Sequence, residues 1–327
     1  MTIAATEVAQ AKPRPIQPTN RELRGAKLFG ALNGGHMPEV ISDALSQGAQ
    51  AENVANRRLA QEHRAHLDAC SSLQAYLSTG PSLAPKEYEP IMRRYARSGR
   101  KILDIGAGRG ESSLYLANLG HQVFALEPSE DFCALMESAS RKFNTPLTVL
   151  RGVAEDLDKL RDRDFDLVFY NSSLHHCDEP VKALRNCYDL MKAGAAIILS
   201  AELHIRPWIN KRRWHMRLEH EPEAMGHYGG NEHAYYNWEY LSMLRQAGFA
   251  EEETFPLATA SDPQFRLGRI LRGRGGPDYT DAQIAARAVV YALTAKLVKS
   301  PLLFRMISRC SLLPCQFRAT KPFHTTA

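Results

Sequence analysis

Lys101-Ile102-Leu103-Asp104-Ile105-Gly106-Ala107-Gly108-Arg109-Gly110-Glu111 is the stretch that decides how this chain is read. A short apolar run leads into three glycines spaced two apart, and a helical pattern begins at Glu111. A strand that enters a glycine loop and opens a helix is suited to binding a ligand. Glycine lets the backbone turn tightly and approach a bound molecule, and the helix start aims free N–H groups and its positive dipole end at the loop. Dinucleotide sites use a similar loop, so the glycines alone leave the ligand open. Asp104, two residues before the first glycine, suits a positively charged amino group or the loop amides and would repel a pyrophosphate. Glu127 ends the next strand, where an acid accepts the hydroxyls of a ribose.

Outward from this loop, short apolar strands alternate with helices. Strands are predicted at 101–105, 122–126, 147–151, 165–170 and 195–201, with helices at 111–119, 129–142 and 178–191. Such alternation makes a mostly parallel sheet with helices on both faces. A helix at 238–246 stops at Gly248, a C-cap residue. A sixth strand follows at 251–255. Residues 315–320, closed by Lys321-Pro322, make a better seventh strand than 264–271. Upstream, residues 1–20 read as a disordered tail with Pro13, Pro15 and Pro18. Helical patterns occupy 21–32, a segment beginning at Pro38, a long stretch from 51 to 77, and 86–98. The expected architecture is therefore α/β: a Rossmann-like seven-stranded sheet spanning 100–257 and 314–327, an N-terminal helical cap at 21–99, and a basic helical insertion at 258–313.

The 327 residues are 44% hydrophobic and carry a net charge of +5, as in an ordinary globular chain. The charge is uneven: residues 258–327 hold eleven Lys and Arg against three Asp and Glu. Within 281–310, Val289, Val290, Leu293 and Leu297 recur at helical spacing between basic residues. That stripe packs on its own domain or forms a peripheral contact with an anionic membrane surface or a protein. The six cysteines are scattered without a C-x-x-C pair, as expected for reduced thiols. The start lacks a signal-peptide pattern and no apolar run is long enough to span a bilayer, so a cytoplasmic location is expected.

Four stretches together resemble a known family. Leu103 to Gly110 resembles the first motif of class I S-adenosylmethionine-dependent methyltransferases. Leu126-Glu127-Pro128-Ser129 resembles their ribose-binding turn, Phe165 to Asp178 their fourth-strand motif, and Leu190 to Gly194 the turn before their fifth strand. The resemblance implies S-adenosylmethionine as cofactor. It places the methionine part on Asp104, Gly106, Gly108 and Gly110, the ribose on Glu127, and the adenine near Phe132, with Asn171 at the end of the fourth strand. One departure stands out. Family members often carry Gly-Asp-Ala after the third strand, but here Gly152-Val153-Ala154-Glu155 stands there. Val153 cannot bond the adenine amino group, and the Ala154 amide or Glu155 can substitute.

The cofactor of that family supplies the electrophile, so the protein aligns the acceptor and, for a hydroxyl, helps remove its proton. Imidazole suits that work near neutral pH. Seven of the twelve histidines lie between 175 and 233. His176, Glu232 and His233 are the candidate bases. His175, His204, Trp208, His227 and Tyr228 are candidate acceptor contacts, most of them within a substrate lid at 202–236. The fourth-strand loop, Asn171-Ser172-Ser173-Leu174, lacks the Asn/Asp-Pro-Pro-aromatic pattern of enzymes that methylate amide or nucleobase nitrogens. A nucleic-acid partner is therefore not expected. Histidine and glutamate spacing in the lid matches no metal pattern, so no metal is expected either. The reading is transfer of a methyl group to a hydroxyl oxygen of a small-molecule or sugar-containing acceptor. N- or C-methylation of a specialised or lipid-linked acceptor, a non-catalytic cofactor-binding protein, and an NAD(P)-dependent oxidoreductase are its rivals.

Overall fold

The computed structural model describes residues 38–42, 44–79, 92, 94, 99–220, 232–256 and 300–323. β2 (Lys101–Ile105) sits at the centre of the sheet. Ile102, Leu103 and Ile105 are buried, the near-continuous apolar run of a strand covered on both faces. β3 (Gln122–Glu127) and β4 (Thr148–Arg151) extend the sheet on one side of β2, while β5 (Phe165–Asn171) and β6 (Met191–Ser200) extend it on the other. All these pairings are parallel. α3 (Glu111–Asn118), α4 (Glu130–Phe143) and α5 (Pro180–Leu190) connect the strands. β8 (Cys315–Thr320) inserts antiparallel between β6 and β7 (Ala250–Pro256).

Among the described residues the sheet has eight strands, one more than expected. The extra one is β1 (Glu39–Val40), which pairs parallel with β4 through Glu39↔Leu150 and Val40↔Arg151. The helix expected from Pro38 is thus a strand. Val40 and Ile41 are β-branched and meet the free edge of β4, where the Ile41 N–H donates to the Arg151 carbonyl at 2.7 Å. The helix begins later as α1 (Gln47–Ala69), with the Ser46 hydroxyl capping the Ala49 N–H. The long helix expected over 51–77 is also broken. α2 (Leu73–Thr79) restarts after Cys70 because Ser72 accepts from the Ala75 N–H as a new N-cap. α1 lies on α4: Asn53 Nδ2 donates to the Pro128 carbonyl, and Lys142 Nζ donates to the carbonyls of Leu67 and Asp68. Leu67, Tyr76, Leu114, Phe132 and Leu135 fill the interface.

After β6 come α6 (Lys211–His220) and α7 (Asn237–Gln246), and before β8 comes α8 (Pro301–Arg309). Asn237 joins the last two. Its side-chain amide donates to the carbonyls of Ser308 and Leu313 at 2.7 and 2.8 Å, and its own N–H donates to Ser311 Oγ. On α8, Phe304 and Ser308 are buried while Leu302 and Met306 are exposed. The expected tail at 1–20, the helix at 21–32, and nearly all of the helix at 86–98 lie outside the described residues, as do 221–231 and 257–299. Among the described residues no helix is long and apolar enough to cross a membrane.

Asn237→Ala removes the donor to the Leu313 carbonyl and one of the two donors to the Ser308 carbonyl, which keeps the Ser311 N–H, so urea unfolding should show a loss of about 1–3 kcal/mol. A loss well under about 1 kcal/mol would show that this junction does not hold α7 to α8.

Candidate active site

The sheet order reverses between β2 and β5, and in open α/β sheets ligands bind at the carboxyl ends of strands at such a point. A cavity of about 1080 Å³ lies there. Gly106 and Gly108 after β2, Glu127 at the end of β3, Gly152 to Asp156 after β4, Asn171 to Ser173 from the end of β5, and Ala201 after β6 all line it. Ser172 and Ala201 take left-handed φ values of 58° and 55°. Strain of this kind in non-glycine residues gathers at ligand sites.

The glycine loop is shaped by its neighbours. Gly106 has φ 65°, and a Cβ there would come within 2.5 Å of the Ser173 Cβ. Gly108 faces open space and donates its N–H to Glu127 Oε2 at 2.8 Å. The other oxygen of Glu127 accepts the Ser129 N–H at 2.9 Å. Burial pushes the Glu127 carboxyl up to about 7, although both amides favour its charged form. Asp104 does not line the cavity. It is fully buried beneath the loop, where Oδ2 accepts the hydroxyls of Ser112 and Ser113 at 2.7 and 2.5 Å. Burial pushes its carboxyl up to about 6, against the two hydroxyl bonds. Its Oδ1 has no hydrogen-bond partner among the described residues. Gly110 packs on Met136 at the start of α3 and is likewise outside the cavity wall.

Phe132, Ala154, Glu155 and Asn171 line the cavity as the sequence suggests. Asn171 Oδ1 is buried there without a partner among the described residues. The turn carrying Ala154 and Glu155 is held by Asn186, whose side-chain amide donates to both of their carbonyls.

Sequence reasoning missed one wall. α1 turns Ala49, Glu52, Asn56, Leu59, His63 and His66 to the cavity, at alternating three- and four-residue steps along one helix face. Arg109 Nη1 donates to His63 Nε2 at 2.6 Å, joining this wall to the glycine loop. Burial, and then the Arg109 guanidinium, lower the His63 imidazole to about 4, which keeps it a neutral acceptor. Among the described residues, eight carboxylic side chains (Glu52, Glu62, Glu111, Glu127, Glu155, Asp156, Asp178 and Glu179) and one guanidinium, that of Arg109, line the cavity. Such a wall attracts a cationic ligand and repels a pyrophosphate.

The histidines separate into two kinds. His176 lines the cavity, with Nδ1 3.8 Å from Glu52 Oε2. His175 is buried behind it, the two rings 4.4 Å apart. His175 Nδ1–H donates to Glu202 Oε2 at 2.7 Å, and Glu202 also accepts the backbone amides of Ser173, Leu174 and His175. Burial works to raise the Glu202 carboxyl, but the His175 ring and these amides outweigh it and hold it below the ordinary carboxylate range.

Of the lid residues, Glu232 stands beside the histidine pair: one ligand atom from each of His175, His176 and Glu232 lies within 4.8 Å of the others. Burial raises the Glu232 carboxyl, partly opposed by His175. The structure does not bring His233, His204 or Trp208 to the cavity wall. His233 is half-buried, and burial lowers its imidazole. His204 is lowered to about 4, by burial first and then by Arg206, and Trp208 is 65% exposed beside Arg206. His227 and Tyr228 lie outside the described residues.

Residues 103–199 match the methyltransferase domain family. That segment, residues 103–199, is a domain of the class I S-adenosylmethionine-dependent methyltransferase type. The ubiquinone biosynthesis O-methyltransferase of Xanthomonas campestris pv. campestris is 29% identical over 119 residues, which cover 36% of this chain and 50% of that one. The protein of the same name from Xanthomonas euvesicatoria pv. vesicatoria is 28% identical over 145 residues, covering 42% of this chain and 61% of its own. The chain thus spans about half to three-fifths of the length of the curated relatives it matches. Phosphoethanolamine N-methyltransferase 2 of Haemonchus contortus, solved with phosphomonomethylethanolamine and S-adenosylhomocysteine, aligns with a TM-score of 0.47 at 14% identity, over 72% of this chain and 52% of that one.

Glu202→Ala removes the acceptor of one ring N–H and three backbone amides. Urea unfolding should show a loss of about 3–5 kcal/mol. A loss under about 1 kcal/mol would show that Glu202 does not hold the loop after β5.

Proposed function

We propose that this protein transfers a methyl group from S-adenosylmethionine to a hydroxyl oxygen of a small-molecule acceptor. The observation that carries the reading is the acidic cavity at the carboxyl ends of β2, β3 and β5, with the Glu127 carboxyl held between the amides of Gly108 and Ser129. The residues present fit the cofactor. Its sulfonium and amino groups match an acidic wall, its ribose hydroxyls match Glu127, and Leu126, Phe132 and Ala154 give an apolar place for adenine. Buried Asn171 Oδ1 offers an acceptor at the same cavity. When bound, S-adenosylmethionine supplies an electrophilic methyl carbon on a positively charged sulfur. The chain's own residues then orient the acceptor, exclude water and take up its proton. His176, on the wall beyond Asn171, is the group placed for the proton, with Glu232 beside it. Oxygen is favoured as the acceptor atom by the fourth-strand loop, which lacks the Pro-Pro-aromatic pattern, and by the names of the Xanthomonas relatives. Any peripheral contact of the basic segment would use the exposed face of Leu302 and Met306 on α8.

Glu127 gives this reading a pH signature. Ribose hydroxyls donate, and a carboxylate that only accepts receives them best when ionised. With its carboxyl near 7, raising the pH from about 6 to 8 should tighten S-adenosylhomocysteine binding roughly tenfold by calorimetry. Glu127→Gln should flatten that profile, and identical profiles for the two proteins would contradict the ribose assignment.

Methyl transfer itself is read with methyl-labelled S-adenosylmethionine and a panel of phenols, sugars and amines. Label should appear as a methyl ether together with S-adenosylhomocysteine. His176→Gln should lower kcat by about 10²- to 10⁴-fold while changing S-adenosylhomocysteine affinity by no more than about twofold. Label found on nitrogen or carbon, or on none of the panel, would contradict the oxygen reading.

A further inference from the structure

His175, His176 and Glu232 are far apart in type and spacing from any sequence pattern for metals, yet the fold gathers them. One ligand atom from each lies within 4.8 Å of the other two. We propose that these three side chains bind a divalent cation of the zinc class, whose open position takes an oxygen of the acceptor. The second clause rests on the methyl-transfer reading, and the first stands without it.

Two imidazoles and one carboxylate are a borderline-soft N₂O set, which suits zinc and its neighbours and leaves a coordination position open. Ligand atoms about 2.0–2.2 Å from such an ion stand roughly 3.4 Å apart, so small side-chain rotations close the set.

A second, independent observation concerns orientation. A metal-binding imidazole commonly donates its other N–H to a carboxylate, which fixes the ring and its tautomer. His175 does so: Nδ1 is 2.7 Å from Glu202 Oε2. An ionised carboxylate only accepts, so Nδ1 carries a proton, and Nε2 is the ring atom left to meet a cation. The Leu203 N–H also approaches Nδ1, at the longer distance of 3.4 Å, and cannot reverse that assignment. Glu202 is itself locked by the amides of Ser173, Leu174 and His175. His176 Nδ1 stands 3.8 Å from Glu52 Oε2, beyond hydrogen-bond reach, so a carboxylate lies near its ring without fixing it.

The third ligand is placed by backbone. The His233 N–H donates to the His175 carbonyl at 3.0 Å, pinning the residue after Glu232 to the histidine pair. His176 lines the cavity, so a cation held here borders the space where the acceptor must sit. An acceptor hydroxyl that coordinates the cation loses its proton to water more readily. With the ion bound, His176 and Glu232 hold it instead of taking the acceptor's proton themselves, and that proton passes to water.

The test uses the full chain, stripped with EDTA, desalted, and titrated calorimetrically with zinc chloride. A parallel cobalt(II) titration is followed by visible absorption. S-adenosylhomocysteine is titrated into each sample. His175→Ala removes a buried partner of Glu202 and can unfold the protein, so the deciding variants are Glu232→Gln and His176→Ala. The proposal expects one zinc ion per chain, a visible cobalt band, and binding weakened at least about tenfold in each variant. It also expects Glu232→Gln to bind S-adenosylhomocysteine as the wild type does. Absence of zinc binding in the wild type, or equal zinc affinity in wild type and both variants, would overturn it. Zinc binding without S-adenosylhomocysteine binding would instead remove the methyl-transfer reading and leave the cation site standing.

Discussion

A buried carboxyl that bridges two backbone turns organises this site. Glu127 accepts from Gly108 in the glycine loop and from Ser129 at the cap of α4. Its carbonyl receives the N–H of Gly152 after β4. One residue at the end of β3 therefore sets the spacing of three loops that line the cavity. Burying a carboxyl is costly unless hydrogen bonds or protonation compensate. Here the amides offset part of the cost, and the rest appears as a carboxyl raised to about 7. The same group is left ready to receive hydroxyl donors.

Asp104 supports the arrangement from beneath. It joins β2 to the first turn of α3 through Ser112 and Ser113, so the helix start stays aimed at the loop. The acid that sequence reasoning assigned to the ligand is thus placed under the loop instead. Around both carboxyls, α1 adds Glu52 and Glu62 to a wall that already carries Glu111 and Glu155. The charge of the finished cavity, more than its glycines, separates a sulfonium cofactor from a dinucleotide.

Much of the fold was legible because its strands are short apolar runs bounded by glycine and by helix caps. β2, β5 and β8 fall within a residue of where the pattern places them. β1 was not legible: two residues carry no periodicity, and Glu39-Val40 acts as a strand only because β4 offers an edge. The single long helix expected near 51–77 failed at Cys70 because Ser72 caps a new start. For the site, Gly106, Gly108, Glu127 and Phe132, named from the sequence, line the cavity. The wall on α1 was not legible, since a stripe at three- and four-residue steps reads as ordinary packing. Its signal was the polarity of Glu52, Asn56, His63 and His66 on what would otherwise be a core face. After β5, spacing along the chain hid the meeting of Glu232 with the histidine pair, which is accompanied by the His233–His175 backbone bond. Trp208, chosen for its ring, stays at the surface.

The central claim is that this cavity is built for a sulfonium nucleoside. It is tested most directly by calorimetric titration of the full chain at about pH 8, where Glu127 is mostly ionised, with S-adenosylhomocysteine and, separately, NADH. Saturable one-to-one binding of S-adenosylhomocysteine and no heat of binding with NADH are expected. Tight binding of NADH with none of S-adenosylhomocysteine would contradict it.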